Sequence, residues 1–180
     1  MKDLTEHFVA GERVYDGGLL KVHRDTVRLP DGSEAYREYI RHPGAVAVVA
    51  LFDDGQVLLE RQFRYPSRRE FIEVPAGKLE PGEPHLETAK RELLEETGYV
   101  AAEWTRFGVL HTAIGYADEV IELFLARKLV LQEAKLDVGE FLEVFKLPFD
   151  QAVAMIRDGR ITDSKTVSAL LWAKYLPPNS

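Results

Sequence analysis

The chain contains no cysteine. That excludes disulfide bonds and thiolate chemistry, and it is compatible with a reducing compartment. No apolar run reaches the roughly 18 residues of a membrane span, and the opening MKDLTEHFVAGERV holds no apolar leader core. A cytoplasmic protein with no membrane partner is therefore expected. Positive charge is scarce: 23 Lys and Arg face 30 Asp and Glu, for a net charge of −7 and a pI near 5.3. Binding a phosphate backbone needs a basic surface, so this balance excludes a general nucleic-acid partner. Any phosphate the chain recognises has to be met locally, by a few arginines and metal ions. Internal repeats and low-complexity tracts are also missing, and only residues 177–180 (PPNS) read as a frayed tail.

At 180 residues and 46% hydrophobic content, the chain can bury one good core. Residues 4–43 read as extended segments joined by turns, with Pro30-Asp31-Gly32 as a hairpin turn. A sheet this small cannot stand alone and has to pack on the rest of its chain or on a second copy. We therefore separate residues 1–43, a β-sheet segment expected to serve dimerisation, from a main domain at 44–180. Within the latter, residues 45–52 (AVAVVALF), the turn Asp53-Asp54-Gly55 and residues 57–59 read as a buried hairpin. Further strands are expected at 103–110, 120–126 and 141–145. Two helices follow: one at 149–157 with Phe149, Ala152, Val153 and Ile156 on its apolar face, the other at 164–176 with Val167, Leu170, Leu171 and Tyr175. Strands on both sides of a central helix, with helices at the end, give a mixed-sheet sandwich of α+β type.

The richest stretch is residues 77–99, GKLEPGEPHLETAKRELLEETGY. Gly77 ends an extended run, Pro81-Gly82 makes a turn, and Pro84 suits the first turn of a helix that Gly98 terminates. Leu86, Ala89 and Leu93 share one face of that helix, whereas Glu92, Glu95 and Glu96 fall at i, i+3 and i+4 and share another. Like charges at this spacing disfavour a helix by a few tenths of a kcal/mol per pair, which points to a compensating cation. Carboxylates are the ligands hard divalent ions prefer, although an acidic helix face can also simply be solvated.

The spacing resembles the Nudix box, GX5EX7REUXEEXGU, matched by Gly77, Glu83, Arg91-Glu92-Leu93, Glu95-Glu96 and Gly98. Tyr99 stands where the pattern has a bulky aliphatic residue, at a place that packs rather than reacts. The resemblance implies an α+β fold of Nudix type, an α/β/α sandwich with a mixed central sheet plus the N-terminal antiparallel sheet. It also implies metal-dependent hydrolysis of nucleoside diphosphate derivatives, with Mg²⁺, or alternatively Mn²⁺, as cofactor. Carried over by position, Glu92 and Glu96 are the principal metal ligands, Glu95 a further one, and Ala76 a ligand through its carbonyl. Glu83 and Arg91 brace the loop against the helix, and Gly77 and Gly98 are structural.

Outside the box, residues 39–49, Arg61-Gln62-Phe63-Arg64, Glu73-Val74-Pro75-Ala76-Gly77 and Gly115-Tyr116-Ala117-Asp118-Glu119 resemble the ADP-ribose pyrophosphatase branch. That resemblance implies a nucleotide substrate held by Arg37, Glu38, Arg41, Arg64, Gly115 and Glu119, and a homodimer whose N-terminal sheets are exchanged. Arg64 has a physical argument of its own, because a guanidinium fork matches phosphate oxygens. Ala113-Ile114-Gly115 replaces the branch's Ser-Pro-Gly and bears on substrate preference rather than on hydrolysis. Other sugar-nucleotide, dinucleoside polyphosphate or cap-type hydrolases, and a non-catalytic nucleotide sensor, are the alternatives. An intact set of box carboxylates speaks against the sensor and the net charge against the cap. His42 and His111 read as structural hydrogen bonders.

Two carboxylates compete for the role of general base: Glu95 in the box, and Glu140, which lies where the resembling branch carries a glutamate on a loop after the box, with Gly139 as a hinge, ahead of Asp137 and Glu143. A carboxylate committed to a cation is the weaker proton acceptor, which favours Glu140. Replacement Glu140→Gln should then lower the maximal rate while leaving apparent substrate and Mg²⁺ affinity nearly unchanged; an unaltered maximal rate returns the role to Glu95 or to a different mechanism.

Overall fold

Alternation along residues 45–50 decides the architecture, since all six are buried and their side chains point by turns to opposite faces. The computed structural model describes residues 1–132 and 141–175. In chain order the described elements are β1 (His7–Asp16), β2 (Lys21–Arg28), β3 (Glu34–Arg41), β4 (Ala45–Ala50), β5 (Gln56–Arg64), a 3₁₀ turn (Tyr65–Ser67), β6 (Arg69–Glu73) and β7 (Ala76–Lys78). They continue with α1 (His85–Thr97), β8 (Tyr99–His111), β9 (Val120–Leu131), β10 (Leu142–Pro148), α2 (Phe149–Arg157) and α3 (Ser164–Tyr175).

The chain divides into two compact units, Met1–Pro43 with His111–Val120, and Gly44–Leu110 with Ile121–Ser180. In the first, β1, β2 and β3 form an antiparallel meander. Its second turn closes through Gly32 N–H to the Leu29 carbonyl at 2.9 Å, and Gly32 takes the left-handed conformation (φ 89°) that glycine adopts without strain. Every residue of β1 is exposed within this chain, Phe8 and Tyr15 included. The segment 111–120 joins this unit by bonding to the end of β3: Ile40 donates to Tyr116 O (2.8 Å), and Asp118 Oδ1 accepts from His42 N–H (2.7 Å).

In the second unit a four-stranded sheet has the order β7-β4-β9-β8, with β4 and β9 parallel and β4 and β7 antiparallel, and an antiparallel sheet has the order β10-β5-β6. Ala45, Ala47 and Val49 enter one core with Leu123, Leu125, Leu59, and Ala152, Met155, Ala169 and Leu170 from α2 and α3. Val46, Val48 and Ala50 enter the other with Phe124, Ala126, and Ala89 and Leu93 from α1. Helices therefore cover both faces of a mixed sheet, giving the expected α/β/α sandwich, and burying one Leu such as Leu93 contributes about 1.5–3 kcal/mol.

Three expectations need correction. The hairpin at 45–59 exists only at its turn: Phe52 N–H bonds Gln56 O at 2.8 Å and Leu51 bridges Val57, after which β4 and β5 part into different sheets. Gly77 does not end a strand but sits in the middle of β7. On α3 the buried residues are Thr166, Ala169 and Leu170, and Tyr175 is exposed, so the inward face is turned toward the polar Thr166. Among the described residues no helix is long and apolar enough to cross a membrane.

Candidate active site

Helix α1 starts after Pro84, whose carbonyl accepts the Glu87 and Thr88 N–H groups at 2.9 and 3.1 Å. It stops at Gly98, left-handed at φ 74°, whose N–H closes on Leu94 O at 2.8 Å. Ala89 and Leu93 anchor it in the core. That seating brings the acidic face inward rather than out to solvent: Glu96 is only 5% exposed, and the Glu92 and Glu95 side chains are 14% and 32% exposed.

Each acid has a defined neighbour. Glu96 Oε2 accepts the Ala76 N–H at 3.1 Å. The Glu92 carboxyl lies against Gly77 so closely that a Cβ built there would fall 1.9 Å from its carboxyl carbon. Glycine at 77 permits this approach, since a side chain there would displace the Glu92 carboxyl. Arg91 then gathers the face: Nε and Nη2 each meet Glu83 at 3.0 Å, Nη1 donates to Glu92 (2.9 Å) and Glu95 (3.0 Å), and Nη2 reaches the Lys78 carbonyl (3.3 Å). The paired hydrogen bonds from Arg91 hold the Glu83 carboxyl at a pKa of about 2, and those to Glu83 push the Arg91 guanidinium up.

One guanidinium among several carboxylates leaves the face negative, and its donors are hard oxygens: Glu92, Glu95, Glu96 and the Ala76 carbonyl one residue before the Gly77 cradle. This donor set suits a divalent cation. Its geometry is gathered on Arg91 rather than on a common centre, and among the described residues no three His, Asp or Glu side chains are grouped to hold an ion.

Arg64, expected at phosphate, directs its fork to Glu73, with Nε–Oε1 at 2.7 Å and Nη2–Oε2 at 2.8 Å. Glu73 is buried and also bonds Lys165. Burial would raise the Glu73 pKa, yet Arg64 and Lys165 outweigh it and hold the carboxyl below its ordinary range; burial would lower that of Lys165, but Asp163 and Glu73 hold it above. The other substrate-binding candidates all fall in the first unit. Arg37 pairs with Glu6 (2.8 Å), Glu38 is exposed on β3, and Arg41 lies over Tyr39, 5.7 Å from the ring centre. Glu119 accepts from Thr112 Oγ1 (2.5 Å) and lies 3.6 Å from His42, and Gly115 faces open space. Glu140 and Asp137 lie outside the described residues, whereas Glu143 is an exposed partner of Arg61.

Missed in the sequence were Glu73, its partner Lys165, and Asp163 and Thr166, which bond Lys165 and Val74 beside it. An acid closing the strand before Val74-Pro75, and an Asp-Ser-Lys-Thr run where a helix begins, were the available signals.

Residues 41–170 match the NUDIX domain model. Over 172 residues the chain is 41% identical to the ADP-ribose pyrophosphatase of Bacillus subtilis (strain 168), covering 94% of this chain and 93% of that protein. Over 171 residues it is likewise 41% identical to the methanol dehydrogenase activator of Bacillus methanolicus, covering 94% and 92%. Among solved structures, an ADP compounds hydrolase superposes with a TM-score of 0.84 over 97% of both chains, at 24% identity, a likeness of fold.

The Arg91–Glu83 brace has a pH signature. Its carboxyl titrates at about 2 when folded against an ordinary 4.5, so its contribution is complete above about pH 4.5 and is lost as the pH falls toward 2. The stability advantage of the parent over Glu83→Gln, measured by urea unfolding, should therefore be constant from pH 5 to 7 and shrink below pH 4.5. An advantage that grows on acidification contradicts the brace.

Proposed function

The chain belongs to the NUDIX family and hydrolyses the pyrophosphate bond of nucleoside diphosphate derivatives, and we propose that its substrate is ADP-ribose, cleaved to AMP and ribose 5-phosphate. The observation that supports hydrolysis at this site is the packing of the Glu92 carboxyl into the Gly77 cradle beside Ala76, with Glu96 tied to the Ala76 N–H. The name of the Bacillus subtilis relative supports the choice of ADP-ribose.

In this reading Glu92, Glu95, Glu96 and the Ala76 carbonyl hold Mg²⁺, with Mn²⁺ as an alternative. When bound there, the ion would supply positive charge against the pyrophosphate and acidify the attacking water. Water adds its oxygen to one phosphorus, the bridging P–O bond breaks, and the departing phosphate takes up a proton. A carboxylate accepts the proton that the water loses, Glu140 first and Glu95 otherwise. Arg91 fixes the helix face against Glu83 and Lys78, because an error of about 1 Å in ligand position costs on the order of 10²-fold in rate. Arg37, Glu38, Arg41, Gly115 and Glu119 take the nucleotide and sugar, while Arg64 stays committed to Glu73. Exposed Ile114 stands where the ADP-ribose branch has proline, so other sugar nucleotides belong in the same comparison.

With Mg²⁺ present, ADP-ribose should be turned over faster than NADH, sugar nucleotides or diadenosine polyphosphates, with AMP and ribose 5-phosphate identified as products. Glu92→Gln and Glu96→Gln should each lower turnover by about two or more orders of magnitude with the fold intact by circular dichroism. Near-normal turnover in either variant removes that residue from the ligand set.

The same reading makes the protein a homodimer joined through residues 1–43. A three-stranded sheet with an entire strand exposed, Phe8, Val14 and Tyr15 among its residues, is poorly stabilised without a partner. Light scattering at working concentration should return twice the chain mass of 20.4 kDa; a monomer contradicts it.

A further inference from the structure

Asp163 caps helix α3: its carbonyl accepts the Val167 N–H at 2.9 Å and its Oδ2 the Thr166 N–H at 3.0 Å. A cap alone needs no more than this, but here the same Oδ2 also accepts from Thr166 Oγ1 (2.6 Å) and Lys165 Nζ (3.0 Å). Both side chains reach onward. Lys165 spans to the buried Glu73, and the fully buried Thr166 accepts the Val74 N–H at 3.0 Å. Apolar Ala169 and Leu170 already dock α3 on the sheet, so this polar cluster exceeds what docking requires.

What the cluster grips is the backbone leading into the acidic site. Val74 N–H is held by Thr166, the Pro75 carbonyl by Val48 N–H (2.9 Å), and Ala76 N–H by Glu96 (3.1 Å). Proline fixes one of the few torsions between Val74 and Ala76, so a displacement at Val74 is transmitted rather than absorbed. We propose that Asp163, Lys165 and Thr166 are positioning residues for the cation site, setting residues 74–76 so that the Ala76 carbonyl and Glu96 meet one ion. The inference rests on the ligand reading given above and extends it to a helix 92 residues further along the chain.

Mn²⁺ binding without substrate, counted from the free-ion electron paramagnetic resonance signal, tests this apart from turnover. Thr166→Val keeps the side-chain shape but removes the oxygen that Val74 bonds; it should weaken Mn²⁺ binding by about tenfold, the usual scale for groups that orient ligands. Thr166→Ser should restore affinity to within about twofold, and Lys165→Met should weaken it in the same direction. Ala152→Gly loosens α2 in the same unit and should lower thermal stability without moving Mn²⁺ affinity. Parental affinity in Thr166→Val or Lys165→Met overturns the proposal, as does equal weakening in Ala152→Gly. Glu96→Gln separates the two levels: unchanged Mn²⁺ binding there defeats the ligand reading, whereas weakened binding there with parental binding in Thr166→Val defeats only the positioning role. Should the α3 variants fail to fold, linkage supplies a test on the unaltered protein, since a network that sets the site must be set by the ion in return. Hydrogen exchange at the Val74 amide should then slow at saturating Mg²⁺, and an unchanged rate overturns the proposal.

Discussion

The crowding of carboxylates on one helix face is the constraint that the second unit is built to satisfy. Glu92, Glu95 and Glu96 repel one another along α1, and burial of Glu96 makes that repulsion stronger than it would be in water. Arg91 relieves part of it with bonds to Glu83, Glu92 and Glu95. A lysine could not do so, because only the guanidinium presents several donors in fixed directions. The relief is incomplete, because one guanidinium faces several carboxylates, and the remaining negative potential favours a cation.

Seating that face requires a rigid support, and β4 supplies it. Because its six residues are all apolar and buried, α1 packs on one of its faces and α2 and α3 on the other. Val46 and Ala47 also pair in register with Gly77 and Ala76, so the strand that supports the helix also fixes β7, whose Gly77 lies against the Glu92 carboxyl. Support and site are thus adjacent in register.

Legibility in the sequence followed range. The helix between Pro84 and Gly98, its acidic face and the need for Gly77 all lie within one short stretch, where spacing maps directly onto a helical surface. The parting of β4 from β5 was hidden because an apolar run and a turn specify a reversal but not which sheet each arm joins; that choice is made by β9 and β10, far along the chain. The turned face of α3 was hidden for another reason. Thr166 occupies a buried position through hydrogen bonds to Val74 and Asp163, so an apolar period could not find it. Arg64 looked free for phosphate because its partner Glu73 lies on the neighbouring strand.

Glu73 itself is the more demanding case. It sits buried on β6 directly opposite Glu60, which is buried on β5, an arrangement of like charges that disfavours strand pairing. Two apolar residues there would pair the strands as well and spare the desolvation of two acids, which in buried ion pairs often exceeds the attraction regained. Arg64 and Lys165 surround Glu73 and help make the pair tolerable, and each of them brings a constraint from a different element: Arg64 from the end of β5, Lys165 from the start of α3. An apolar contact would join these elements while permitting small slides between them. Directional bonds to both oxygens of one carboxylate fix their orientation, so the stability given up at Glu73 is returned as precision in the backbone that leads to Ala76.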